Sequence, residues 1–227
     1  MKKIIILVCI LSIIAVTFAG CGNKDTLDTP IQLDDKVKSR YARINIKDFG
    51  SITLKIYTEQ EKDIGNRFLE LCKNGRFNNR PLLDVIDNYV ILFNTDDSND
   101  TQAAFSGDYT GLFPIRGALC VSADEENKCN LNSIYLINSD TENINRIESL
   151  LDYKGYTLTD YMNFGYDTQL TEKEIDFYRE NGGAPWLQGH TVVFGQVTEG
   201  FDIMDSIIET SKTDKNIQII VDTIETD

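Results

Sequence analysis

Apolar and polar residues alternate along much of the chain, which is the pattern of half-buried β-strands. The first clear case is YARINIKDFGSITLKIY, where two alternating runs flank the turn residues 48–50. Ile52, Leu54 and Ile56 fall on one face of the second run. This arrangement predicts a β-hairpin.

Further apolar runs predict strands in RPLLDVIDNYVILFN, IRGALCVSA, SIYLIN, HTVVFGQV and IQIIVDTI. A helix is predicted in EQEKDIGNRFLELCKNG, where Ile64, Phe68, Leu71 and Cys72 recur at helical spacing, and a short one in GFDIMDSIIET. Strands dominate, with one helix near each end of the domain. The pattern therefore favours a mainly β fold, a closed antiparallel barrel of about eight strands capped by two helices.

The segment 138–183 has a different character. It contains the helical patterns SDTENINRIESLLDY and LTEKEIDFYRENGG, the second with Thr171 and Glu174 spaced as a capping box. The segment is too short to build its own core. We predict one domain over residues 41–227 that carries residues 138–183 as a helical insertion.

The N-terminus, MKKIIILVCILSIIAVTFAGC, has two lysines, an apolar run and small residues before Cys21. This predicts a signal peptide over residues 1–20, because the run is short and wrongly flanked for a spanning helix. FAGC resembles the bacterial lipobox, with Phe18 in place of the usual Leu. We expect a lipid on Cys21, a flexible tether over residues 21–40, and a position on the extracytoplasmic face of the membrane. A plain N-terminal membrane helix is the alternative.

Charge and residue counts exclude several functions. Without Lys2 and Lys3 the chain has 20 basic and 36 acidic residues, a formal charge of −16, so nucleic acid is not an expected partner. His190 is the only histidine, which excludes a catalytic triad and a multi-histidine metal site. DDSNDTQAAFSGD lacks the Gly and Glu of an EF-hand loop. We predict no metal and no cofactor.

Three cysteines remain beyond the signal peptide and Cys21, without a C-x-x-C spacing. Cys72 lies on an apolar helical face and Cys120 in an apolar strand, so both are predicted to be buried. Cys129 lies in a polar stretch and is predicted to be a loop thiol.

Four stretches, PWLQGHTVVFGQVTEGFDIMDSI, GALCVSADEENKCNLNSIYLIN, IGNRFLELCKNGRFNN and LLDVIDNYVILFN, resemble motifs of the cyclophilin family. PWLQGHTVVFGQVTEGFDIMDSI is similar to its signature W-L-x-G-x-x-x-V-F-G-x-V-x-x-G, and GALCVSADEENKCNLNSIYLIN resembles its G-A-L-S-M-A strand and Q-F-F segment. IGNRFLELCKNGRFNN looks like its first helix, and LLDVIDNYVILFN stands where it carries F-H-R-V-I-P-G-F-M-I-Q-G. The match covers most of residues 41–135 and 184–227. It implies a cyclophilin-like barrel with peptidyl-prolyl cis-trans isomerase activity.

The polar half of the implied active site is altered. Prolyl isomerisation must overcome an amide barrier of ~18–20 kcal/mol, and a donor to the proline nitrogen lowers it. In the family that donor is the Arg of F-H-R, whereas here the position holds Asp84, a carboxylate without a donor. Leu92 and Ser133 replace two glutamines, and Thr191 replaces a histidine. Arg80 and Arg116 are conceivable relocated donors.

The apolar half is better preserved. Tyr89 stands for Phe, Val90 for Met and Tyr135 for the second Phe of Q-F-F, while Trp186 and Leu187 match the signature. Backbone donors near Ala123 would hold the peptide, as in the family. The predicted substrate-binding residues are Tyr89, Val90, Leu92, Ala123, Ser133, Tyr135, Trp186, Leu187 and Thr191. The alternative is that the aromatic residues only pack at the barrel mouth.

The sequence therefore predicts a monomeric, lipid-anchored cyclophilin-type isomerase that assists the folding of extracytoplasmic proteins. Its expected partners are proline-containing or unfolded polypeptides, and Asp84 is expected to weaken or abolish catalysis. One alternative is a pseudo-isomerase that binds such peptides without catalysis. Another is a structural or partner-docking lipoprotein that uses the insertion 138–183.

Overall fold

The computed structural model describes residues 30–95, 105–106, 111–123, 128–165 and 170–227. Within these ranges the strands are β1 Arg40–Ile46, β2 Gly50–Ile56, β3 Arg80–Pro81, β4 Asp84–Ile86, β5 Val90–Asn94, β6 Phe105–Ser106, β7 Ala118–Ala123, β8 Lys128–Ile137, β9 Thr191–Glu199 and β10 Ile220–Thr226. The α-helices are α1 Lys62–Lys73, α2 Thr141–Asp152, α3 Leu158–Gly165, α4 Glu172–Asn181 and α5 Phe201–Thr213. Short 3₁₀ turns lie at Ile31–Leu33 and Pro185–Leu187.

The strands form one antiparallel sheet in the order β3-β10-β1-β2-β9-β7-β8-β5-β4, with β6 paired to β8. The two ends of this order, β3 and β4, are separated in sequence only by Leu82 and Leu83. Leu82 N donates to the carbonyl of Ile219 before β10 (2.8 Å), and Leu83 N donates to that of Leu92 in β5 (2.9 Å). The chain thus crosses from one end of the sheet to the other, and the sheet curls. The predicted mainly β, antiparallel, cyclophilin-like fold is confirmed.

The main core lies inside the curled sheet. Phe68 of α1 contacts Phe77 and Phe194 of β9, with ring centroids 5.6 and 5.4 Å apart. Met204 and Ile207 of α5 are fully buried in the same cluster. Burying one such side chain stabilises the fold by about 1.5–3 kcal/mol. α1 and α5 therefore pack against the sheet through the apolar faces that the sequence predicts.

Residues 138–183 form a helical layer, and its buried apolar residues lie in a cluster that is separate from the main core. Ile144, Leu158 and Met162 are buried there, and Phe113 of the barrel packs edge-on against Phe177 at 5.1 Å. Thr171 and Glu174 form the capping box that their spacing predicts, at the start of α4. The insertion is thus fastened to the barrel by apolar contacts.

Residues 30–37, which we call the strap, pack against the barrel although the sequence places them in a flexible tether. Gln32 is 4% exposed. Its Nε2 donates to Phe113 O at 2.6 Å and to Gln196 Oε1 at 3.3 Å, and its Oε1 accepts from Phe113 N at 2.8 Å. Tyr57 Oη donates to Gln32 O at 3.2 Å. The polar composition of the strap suggested an exposed segment. Gln32 can be buried because hydrogen bonds satisfy its side-chain amide.

We expect Gln32→Ala to release the strap. The change leaves the buried amide and carbonyl of Phe113 without their partner, at a cost of about 1–3 kcal/mol. Hydrogen exchange should accelerate in the strap, and the free energy of unfolding should fall by this amount. Lys38→Ala is the control, because it removes only an exposed ion pair with Glu59. Equal effects of the two changes would show that the strap is not held by Gln32.

Cys129 lies in the core, so its assignment to a loop is wrong. β8 extends back to Lys128 and pairs Cys129 with Ala123 and Phe105, which turns the thiol inward. Cys129 is 4% exposed, in line with buried Cys72 and Cys120. The polar neighbours in the sequence concealed this strand, because a strand buries only every second residue.

These thiols should react slowly with Ellman's reagent in the native protein. Burial raises the pKa of Cys72 and of Cys120, and the thiolate is the reactive form. We expect the reaction in the native state to be at least ~10²-fold slower than in denaturant. A Tyr153→Cys variant, at a position 90% exposed, supplies the fast control. A fast thiol in the unsubstituted domain from residue 30 onward would contradict the burial.

Candidate functional site

One row of side chains crosses the sheet on the face opposite to the main core. Asp84 of β4 stands opposite Leu92 of β5, Leu92 opposite Tyr135 of β8, Tyr135 opposite Cys120 of β7, and Cys120 opposite Val193 of β9. Directly opposite residues point to the same face. Strands lie about 4.8 Å apart, so the backbones of Asp84 and Tyr135 are about 10 Å apart. The strand register alone thus sets the predicted site.

The predicted apolar residues meet along this row. One cluster contains Tyr89, Val90, Leu92, Tyr135, Trp186 and Leu187. Val90 and Tyr135 are buried and form the floor with Cys120, whereas the other four are partly exposed. The rings of Tyr89 and Trp186 have centroids 6.2 Å apart. The result is an apolar surface with a buried floor and a rim that solvent can reach.

The insertion supports this rim. Trp186 sits in the 3₁₀ turn Pro185–Leu187, directly after the insertion rejoins the barrel. Its side chain also packs against the cluster of Phe113 and Tyr178 between barrel and insertion. Trp186 is thus held from two sides.

The hydroxyl groups near the floor are satisfied within the protein. Thr191 Oγ1 donates to Val121 O at 2.8 Å, so its single hydrogen is committed. The hydroxyl of Tyr135, 2.5 Å away, must then be the donor to Thr191. Burial raises the pKa of Tyr135, which keeps the phenol protonated. Neither hydroxyl hydrogen is available to a bound peptide in this arrangement.

Asp84 is exposed at the outer end of the row. Its Oδ1 accepts a hydrogen bond from the backbone N–H of Val85 at 2.8 Å. It borders a small cavity of about 200 Å³ together with Leu83, Lys215 and Ile217. Lys215 follows α5 in sequence, far from the strand of Asp84, and no motif marks it. Only the packing of α5 beside β4 brings this cation to the site.

The two conceivable relocated arginines lie elsewhere. Arg80 belongs to β3 and stands opposite Val221 of β10, not in the row of β4 and β5. Arg116 is paired with Asp205 of α5 and lies over the Phe201 ring, 5.4 Å from its centroid. Neither residue belongs to the cluster at the site.

The remaining predicted residues are described only in part. Ala123 ends β7 opposite Cys129, and Ser133 stands opposite Asn94, but their side chains lie outside the description. Cys21 and the signal peptide also lie outside the described residues, as does most of the acidic loop weighed for calcium. In the parts of the chain that are described, no group of three or more His, Cys, Asp and Glu side chains is arranged to hold a metal.

The comparisons with known proteins agree with this architecture. The family model for cyclophilin type peptidyl-prolyl cis-trans isomerase/CLD matches residues 41–225, and the chain therefore belongs to this family. A search of the curated proteins finds no match.

Solved structures show the same fold. The chain is similar to a cyclophilin type peptidyl-prolyl cis-trans isomerase of Cryptosporidium parvum, with a TM-score of 0.56 and 15% identity over 84% of this chain and 98% of that one. A second structure of that protein was determined in the presence of the dipeptide Ala-Pro. It gives a TM-score of 0.54 and 17% identity over 81% and 96% of the chains.

Proposed function

We propose that this protein is a peptidyl-prolyl isomerase of reduced activity that binds proline-containing segments of extracytoplasmic polypeptides and assists their folding. The observation that carries the proposal is the row from Asp84 to Cys120. It joins an apolar surface to a carboxylate at the position where the family has an arginine.

The apolar surface is suited to a proline ring. Tyr135 and Val90 provide a buried floor, and Tyr89, Leu92 and Trp186 provide a partly exposed rim. The similar structure determined with Ala-Pro supports the choice of a proline-containing ligand. The peptide would cover the rim, and the backbone near Ala123 would hold it from the side of β7.

Catalysis would come mainly from removing the prolyl amide from water. The planar amide is stabilised by charge separation between oxygen and nitrogen, which water favours. Covering the amide with apolar side chains weakens that preference. A donor to the proline nitrogen would stabilise the twisted amide further, and Asp84 cannot supply one. Binding is therefore retained while the rate enhancement is small.

A titration with matched peptides tests this proposal. An Ala-Pro peptide should shift the NMR signals of Tyr89, Tyr135 and Trp186, whereas the same peptide with Ala-Ala should not. Exchange spectroscopy should show slow isomerisation above the uncatalysed rate. Binding without acceleration would support the pseudo-isomerase, which the missing donor at Asp84 favours. Absence of any proline-dependent shift would exclude both functions.

The site of action is proposed to be the extracytoplasmic membrane face, with the lipid on Cys21 as anchor. FAGC supports this position. As a separate finding, none of the helices in the described ranges combines the length and apolarity needed to cross a bilayer. Mass spectrometry of the native protein should find an N-terminal, lipid-modified Cys21. A Cys21→Ala variant should retain its signal peptide or carry no lipid. An unmodified Cys21 in the native protein would refute the anchor.

A further inference from the structure

The end of α2, the turn that follows it and α3 expose large apolar side chains. Leu150, Tyr153, Tyr156 and Phe164, which we call the aromatic tip, are 63, 90, 60 and 93% exposed. Tyrosine and phenylalanine usually bury much of their surface. Several such residues close together in sequence, on consecutive elements of the insertion, indicate a contact surface.

The tip is held firmly by the rest of the insertion. Leu158 and Met162 of α3 and Ile144 of α2 are at most 1% exposed in the insertion core. The turn that leads into α3 is closed by Asp160, whose Oδ2 accepts from Thr157 N at 3.1 Å and from Thr157 Oγ1 at 2.7 Å. The exposed rings are therefore presented by an ordered support.

The tip also carries little net charge. Asp152 and Lys154 offset one another, and Asp160 leaves residues 150–164 with a net formal charge of −1. Nearby, Arg179 pairs with Glu148 at 2.8 Å and with Asp176 at 2.6 Å. In a mature chain with a formal charge of −16, this segment is one that an anionic surface repels weakly.

The docked strap limits how far the domain can stand from its anchor. Gln32 and Leu33 of the strap border a cavity of about 580 Å³ together with Asp140, the N-cap of α2. The chain therefore enters the domain beside the base of α2. α2 has 12 residues and extends about 18 Å from that base to the tip. The nine residue-to-residue steps from Cys21 to Pro30 reach at most about 30 Å.

We propose that the aromatic tip rests in the headgroup layer of the membrane, so that its partner is a lipid surface. The proposal rests on the lipid anchor at Cys21 described above. A tether of this length allows the tip to meet the bilayer while the anchor is inserted. Tyrosine suits that layer because its ring is apolar and its hydroxyl group is polar. Phe164 and Leu150 would bury their apolar side chains at the boundary with the acyl chains.

Fluorescence quenching by brominated lipids tests the contact. The mature chain from residue 21, in a Trp186→Phe background, is coupled through Cys21 to a maleimide lipid in phosphatidylcholine–phosphatidylglycerol vesicles. Cys72, Cys120 and Cys129 are buried and should not react. This coupling makes the test independent of lipidation in the cell, so the anchor and the tip can fail separately.

Brominated acyl chains should lower the emission of a Tyr153→Trp variant at least ~2-fold, because the introduced ring lies at the acyl boundary. The control is Tyr41→Trp on β1, at a position 44% exposed, whose emission should not change. Equal emission of Tyr153→Trp in brominated and ordinary vesicles would overturn the proposal. A change that depends on protein concentration without lipid would show that a second copy occupies the tip, and would also overturn it.

Discussion

Replacing Asp84 by arginine should raise kcat/KM for Ala-Pro peptides by about 10²-fold, because one preorganised donor is typically worth 10²–10³ in rate. Asp84 stands in the row with Leu92 and Tyr135, and its exposed position leaves room for a longer side chain. The guanidinium would reach over Leu92 toward the proline nitrogen. The change should act on kcat more than on KM, since the donor bonds the twisted amide.

Isomerisation of a short Ala-Pro series measures this effect, with mature protein that retains the strap. Asp222→Arg on β10 is the matched control, because it makes the same charge change at an exposed strand position. If Asp222→Arg raises the rate equally, the gain comes from general charge. Efficient catalysis by the unsubstituted protein would show that another group already replaces the arginine.

Gly183→Ala should destabilise the fold by about 3–5 kcal/mol through strain and overpacking. Gly183 has φ +124°, and a Cβ there would lie 2.5 Å from Pro114 O and 2.6 Å from Ile115 Cα. Both are backbone atoms, which cannot rotate away. The Gly183 amide also donates to Ser139 O at 2.7 Å and joins the two ends of the insertion.

Denaturant unfolding of Gly183→Ala against Gly155→Ala separates crowding from backbone conformation. Gly155 also has a positive φ, +78°, but no atom lies within 4 Å of a Cβ placed there. It should lose only about 1–2 kcal/mol, the usual cost of this conformation for an L-residue. Equal losses at the two positions would mean that the junction relaxes around the methyl group. A larger loss at Gly183 should be accompanied by weaker Ala-Pro binding, because Trp186 follows this junction.

The family resemblance supplied the predicted residues of the site, and strand alternation explains why several of them share a face. Once Asp84, Leu92 and Tyr135 are placed in strands of known register, their common face follows from a period of two. The helix over residues 62–73 shows the same logic, because Ile64, Phe68, Leu71 and Cys72 are all buried. Periodicity does not contain the order of the strands in the sheet, which only the structure gives.

Other features depended on contacts between distant segments. Lys215 reaches the surroundings of Asp84 only because α5 packs beside β4, and the strap docks only because Phe113 offers an amide and a carbonyl to Gln32. A polar residue buried through hydrogen bonds has the same local sequence signature as an exposed one.

Local pattern was therefore sufficient for most of the strands, the main helices and the capping box at Thr171, because these follow from interactions between near neighbours or from a fixed period. The apolar residues of the site were predicted from the family resemblance. The closure of the sheet at Leu82 and Leu83, the burial of Cys129 and the docking of the strap were decided by tertiary structure. Each requires a partner from a distant part of the chain, and hydrogen-bond pairing or packing with that partner sets which side of the residue faces water.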